Sequence, residues 1–105
     1  MTRVVWRLAA RRDVADAAHW YASQANLATG ERFLDAVEQA LSHLSLHPGS
    51  GSPRYALALQ LEGLRVWPVH GFPYLVFYIE QPSQLDVWRV LHAQRDIPAW
   101  MLDTP

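Results

Sequence analysis

Gly71-Phe72-Pro73-Tyr74-Leu75-Val76-Phe77-Tyr78-Ile79 reads as a strand entered through a Phe-Pro-Tyr corner and filled with aromatic and β-branched residues. Side chains alternate along a strand, so Leu75, Phe77 and Ile79 share one face while Tyr74, Val76 and Tyr78 share the other. Both sets are apolar. A sheet with helices on one face only should alternate apolar with polar, so this strand needs a second layer. The cover is expected from the chain's tail, from the Pro53–Leu61 segment or from another protein. Past a turn at Gln81-Pro82-Ser83, Leu85–His92 repeats the pattern, with Val87 and Leu91 opposed to Trp88 and Val90. Simple alternation puts Arg89 in register with Leu85, Val87 and Leu91, and His92 on the face of Trp88.

Upstream, Glu62-Gly63 turns the chain into a strand over Leu64–Val69, where Pro68 predicts a break or bulge because it cannot donate to a ladder. Leu57, Leu59 and Leu61 alternate with Ala56, Ala58 and Gln60, which predicts another strand. Gly49 to Pro53 is a loop by composition. Before it, Phe33, Val37, Ala40, Leu41 and Leu44 form the apolar stripe of a helix, and Glu31, Arg32, Asp35, Glu38, Gln39 and Ser42 face water. Pro48-Gly49 ends that helix. Val14, Ala17, Ala18, Tyr21 and Ala25 mark an earlier helix from Ala10, with no capping residue ahead of it, and Asn26 is placed to cap the next one. Arg3–Leu8 is a candidate first strand, and Pro98 suits the first turn of a tail helix through Met101. The expected fold is α+β: a helical hairpin packed on one face of an antiparallel sheet, in a single domain over 1–105.

Composition narrows the function. The net charge of -1 gives no sign of a nucleic-acid binder. Charged residues are only 18% against a usual ~25%, which points to apolar surface held against a partner. All nine basic residues are Arg, the better residue for bidentate recognition of carboxylate or phosphate, although codon bias accounts as well for the missing Lys. With no Cys, disulfides and thiolate metal sites are excluded. No run suits a signal peptide or a membrane helix, so a cytoplasmic protein is expected.

The order of these motifs resembles the RelE/ParE superfamily of type II toxin–antitoxin toxins, and within it the ParE branch. Leu8 to Val14, with its Asp13-Val14 pair, sits where the family opens its first helix, and Tyr21 matches the aromatic near that helix's end. Phe33 to Leu44 matches the second helix; Pro48 and Gly51-Ser52-Pro53-Arg54 match the following loop. Gly63-Leu64-Arg65, Phe72-Pro73-Tyr74 with Tyr78, and Val90-Leu91-His92 with Arg95-Asp96 match the strands and the closing signature. The resemblance implies a growth-arresting toxin that forms a hetero-oligomer with a cognate antitoxin. ParE-like members poison DNA gyrase; RelE-like members are ribosome-dependent endoribonucleases; a third possibility is a diverged member that only binds its antitoxin.

The residues speak against nuclease chemistry. Metal-independent RNA cleavage needs a base, cations and an acid around one phosphate. RelE-like enzymes use clustered Lys and Arg with a C-terminal Tyr or His, whereas here Lys is absent and nothing after Asp96 is Tyr, His or Arg. A reduced set of Arg65, Arg89 and His92 is conceivable, but Arg89 and His92 fall on opposite faces. The expectation is therefore no catalytic residue, cofactor or metal, and no direct contact with nucleic acid or membrane. His43 and His47 have helical metal spacing but no third ligand, and at a helix C-terminus they answer the dipole. His92 and Asp96 suit a strand-end turn, with Arg95 pairing a carboxylate. Arg65, Trp67, Tyr74, Tyr78, Trp88, Arg95 and Trp100 are the candidates for contact with antitoxin or target.

Overall fold

The computed structural model describes residues 2–102. Its elements are β1 (Arg3–Trp6), α1 (Leu8–Gln24), α2 (Leu27–Leu46), a 3-10 turn (Pro48–Ser50), α3 (Ala56–Leu59), β2 (Leu64–Pro68), β3 (Tyr74–Glu80), β4 (Gln84–His92) and α4 (Ile97–Leu102). The meander β2-β3-β4 is antiparallel. β1 returns alongside β4 in parallel, so the four-stranded sheet is mixed, in the order β1-β4-β3-β2.

The helical hairpin follows from local chemistry. α1 begins at Leu8, two residues before Ala10, with no side-chain cap on its first turn. Asn26 caps α2: its Oδ1 accepts the Thr29 N–H at 2.8 Å, satisfying a donor that the helix start would otherwise orphan. The α2 stripe of Phe33, Val37, Ala40, Leu41 and Leu44 is buried against the sheet as its spacing requires. Gly30 lets the two helices touch: a Cβ there would lie 2.8 Å from the Ala18 carbonyl oxygen.

The sheet's other face is covered by the chain itself. Leu64, Val66, Leu75, Phe77 and Leu91 pack with Ile97 and Met101 of α4, and Tyr55, Ala56, Leu59 and Leu61 close the rest. The two faces of β3 divide as its alternation demands, with Tyr74, Val76 and Tyr78 in the cluster under the hairpin. The expected strand over Leu57–Leu61 does not form. Ser52 already exchanges both backbone hydrogen bonds with Val66, occupying the outer edge of β2, so no ladder remains for those leucines. Ala56–Leu59 winds into one helical turn instead, stopped by Gln60 at a φ of 54°, and Leu57 is 91% exposed. Pro68 is tolerated as the last residue of an edge strand.

Simple alternation also fails in β4. Phe77 pairs with Arg89 and Tyr78 with Val87, so Trp88 is an extra residue, a β-bulge. The bulge takes Arg89 out of register with Leu85 and Val87, and Val90 joins those two under the hairpin. Trp88 packs with the opposite cluster, together with Leu91. His92 crosses to the hairpin side and meets the Tyr74 ring edge-on at 5.2 Å. No helix among the described residues is long and apolar enough to cross a membrane.

Candidate functional site

Five residues of α1, namely Asp13, Asp16, Ala17, Trp20 and Tyr21, recur at helical spacing and form one wall of a groove of about 600 Å³. Pro73 and Tyr74 from the start of β3, Val90 and His92 from the end of β4, then Arg95 and Trp100 complete it. The strand ends supply the floor because Tyr74 and His92 are paired in register. The turn after β4 is built on His92: its Nδ1 accepts the Gln94 N–H at 3.1 Å and its carbonyl accepts the Arg95 N–H at 3.0 Å. Asp96 starts α4, its carboxylate facing the Ala99 N–H at 3.4 Å. Among the described residues Arg95 pairs with no carboxylate, contrary to expectation; it lies over the Trp100 ring, 4.2 Å from its centroid. Helix α4 brings that aromatic face closer than any acid.

Beneath the groove, Tyr21, Phe33, Phe72 and Tyr74 interlock edge to face. Burial raises the pKa of both Tyr21 and Tyr74. For Tyr74, Arg95 pulls the other way and Asp13 adds to the rise. The two hydroxyls are therefore neutral donors at physiological pH. Asp13 sits at the groove's edge with its charge matched: Arg89 grips both carboxylate oxygens at 2.7 Å and also donates to the Trp100 carbonyl at 2.6 Å.

The seven contact candidates separate into two kinds. Tyr74, Arg95 and Trp100 meet in this groove. Tyr78 and Arg65 hold a loop: the Tyr78 hydroxyl donates to the Pro48 carbonyl at 2.6 Å and accepts the Gly51 N–H at 2.9 Å, and Arg65 donates to the Gly51 carbonyl at 2.8 Å. Burial raises the Tyr78 pKa, against the pull of that Gly51 N–H and of Arg65. Trp67 stacks on His43 at 4.7 Å, and His43 meets Ser50 and the His47 ring rather than facing the helix end alone. Trp88 lies under the Arg7 guanidinium at 3.7 Å and donates to Asp86. Arg65, Arg89 and His92 do not converge. Asp13 and Tyr21 stood out in the sequence only through the family resemblance and, for Tyr21, the apolar stripe of α1, whereas Asp16 and Trp20 carried no mark beyond helical spacing, which fits a solvated helix face equally well.

A second, shallower groove of about 380 Å³ runs between β1 and the hairpin, lined by Val4, Trp6, Val14, Leu34, Val37 and Leu41. It flanks the unpaired edge of β1, and Leu8, Leu27, Leu34 and Leu46 stand exposed on the helices.

With this geometry in place, comparison with known proteins is decisive. Residues 4–97 match the model of the ParE toxin of the type II toxin-antitoxin system, parDE. The chain belongs to the ParE toxin family. A solved structure, the chromosomal ParDE TA system from P. aeruginosa, has the same fold at a TM-score of 0.73 and 14% identity, covering 88% of this chain and 96% of that one. No curated protein matches the sequence. In this ParE toxin the sheet face away from the hairpin, whose cover was expected from the tail, the Pro53–Leu61 segment or another protein, is filled by α3, α4 and their flanking residues.

Proposed function

We propose that this ParE toxin acts by protein–protein contact, inhibiting DNA gyrase without cleaving RNA, and that a cognate antitoxin holds it inactive in the cytoplasm. The observation that carries this reading is the dispersal of the nuclease set that the sequence offered. Arg65 is spent on the Gly51 carbonyl, Arg89 on Asp13 and the Trp100 carbonyl, and His92 on the turn after β4. Cleavage without a metal needs such groups around one phosphate. The gyrase target rests on membership of the family. In this reading the antitoxin binds on the hairpin side, where the exposed Leu34 lines a groove with Val4 and Trp6 of the edge strand β1. The test is induced expression without antitoxin. Gyrase-linked DNA damage and filamentation, with translation continuing at first, are expected. Rapid translational arrest with cut messages, or no phenotype, would overturn the reading.

A further inference from the structure

The groove between α1, the ends of β3 and β4, and α4 contains polar groups that the fold itself leaves unused. Tyr74 is only 9% exposed, yet among the described residues neither its hydroxyl nor that of Tyr21 has a hydrogen-bond partner. Both hydroxyls line the groove with no protein partner, which leaves each available to donate to an acceptor seated there. Arg95 rests on Trp100 with no carboxylate in ion-pair range among the described residues. His92 accepts at Nδ1, so its neutral ring carries the proton on Nε2, a further donor. Asp13 does not compete for these donors, since Arg89 and the Val90 N–H already engage it. Two tryptophans, Trp20 on α1 and Trp100 on α4, are 55% and 39% exposed at the rim. Asp16 is exposed at the α1 side and has no partner among the described residues.

We propose that this groove seats a segment of a partner protein in which a carboxylate side chain stands beside an aromatic or aliphatic one. Arg95 and the Tyr74 hydroxyl take the carboxylate, with Tyr21 and His92 in support, and the apolar side chain lies between Trp20 and Trp100. Charge-assisted bonds to a guanidinium held in place by an aromatic ring are the strong kind, which makes the acid rather than the apolar residue the source of selectivity. Asp16 favours a basic group on the partner at the α1 end and disfavours a second acid there. The proposal rests on the reading of this toxin as acting by protein contact.

The test is an NMR titration of the full chain with N-acetyl-Asp-Phe-amide, N-acetyl-Asn-Phe-amide and 5′-AMP. The Asp peptide should shift the indole signals of Trp20 and Trp100 and bind about tenfold tighter than the Asn peptide, the worth of one charge-assisted hydrogen bond. Arg95→Gln should abolish that preference and Tyr74→Phe should reduce it, with both variants keeping the parent's dispersed spectrum. Equal affinity for the two peptides, no binding of either, shifts away from the groove, or tighter binding of 5′-AMP would overturn the proposal. The titration contains no gyrase, so an expression phenotype pointing to the ribosome would sink the gyrase reading and leave this result standing.

Discussion

Asp13 stands where β1 runs out. β1 pairs with β4 only as far as Val87, so the Val90 N–H meets no strand, and Asp13 Oδ2 accepts it at 3.0 Å. The same carboxylate holds Arg89 by two bonds, with both side chains nearly buried. Removing one partner of a buried pair leaves an uncompensated charge. Asp13→Ala should therefore cost about 3–5 kcal/mol in urea unfolding, and adding Arg89→Ala should cost much less than the sum. The Arg7–Asp86 contact, at 3.4 Å and more exposed, should be worth less than about 1 kcal/mol in the same cycle. Tyrosines give a second expectation. Burial raises the pKa of Tyr21, Tyr74 and Tyr78 above 10.0, so the folded chain keeps their protons to higher pH than the unfolded chain. Their contribution is intact below pH 10 and is lost as pH rises through the folded values. Melting temperature should fall from pH 10 to 11, and less steeply in Tyr74→Phe. None of this was legible in the sequence, because Asp13 and Arg89 lie 76 positions apart and only the fold joins them.

At the scale of elements, periodicity was a sound guide wherever a whole face decides burial. The α2 stripe is such a case, and Leu41→Ala should cost about 2–5 kcal/mol by leaving a cavity under the hairpin. Gly30 tests the contact between helices. In an exposed helix Gly→Ala gains up to ~1 kcal/mol, but here the added methyl meets the Ala18 carbonyl at 2.8 Å and Ala22 Cβ at 3.1 Å. Gly30→Ala should therefore destabilise by about 1–3 kcal/mol, and a rise in melting temperature would refute the close crossing. Periodicity misled over Ala56–Leu61, where an alternating run found no free sheet edge, and in β4, where the bulge at Trp88 shifts Arg89 and Val90 against simple alternation. Short apolar runs and single extra residues carry no local signal strong enough to declare themselves.

The whole molecule is three layers: hairpin, sheet, and a thin cover of α3 and α4. Ile97 and Met101 seal Leu75, Phe77 and Leu91, so Ile97→Asp should open that face, raise binding of a hydrophobic dye and cost more than about 2 kcal/mol. An unchanged dye signal would mean the cover is not needed. The sequence by itself determined the hairpin, the three-strand meander and the demand of β3 for two layers, because apolar spacing at periods of 3.6 and 2 states which faces must leave water. It also carried the family, through the order of its motifs. The tertiary structure alone decided that the second layer is the chain's own tail and that β1 lies parallel to β4. It also decided that Tyr21, Tyr74, His92 and Arg95 share one groove while Arg65 and Arg89 are spent elsewhere. The physical reason is range. Periodicity reports burial one element at a time, whereas a site is made by side chains whose meeting depends on strand order, on one bulge and on where an edge runs out of partner.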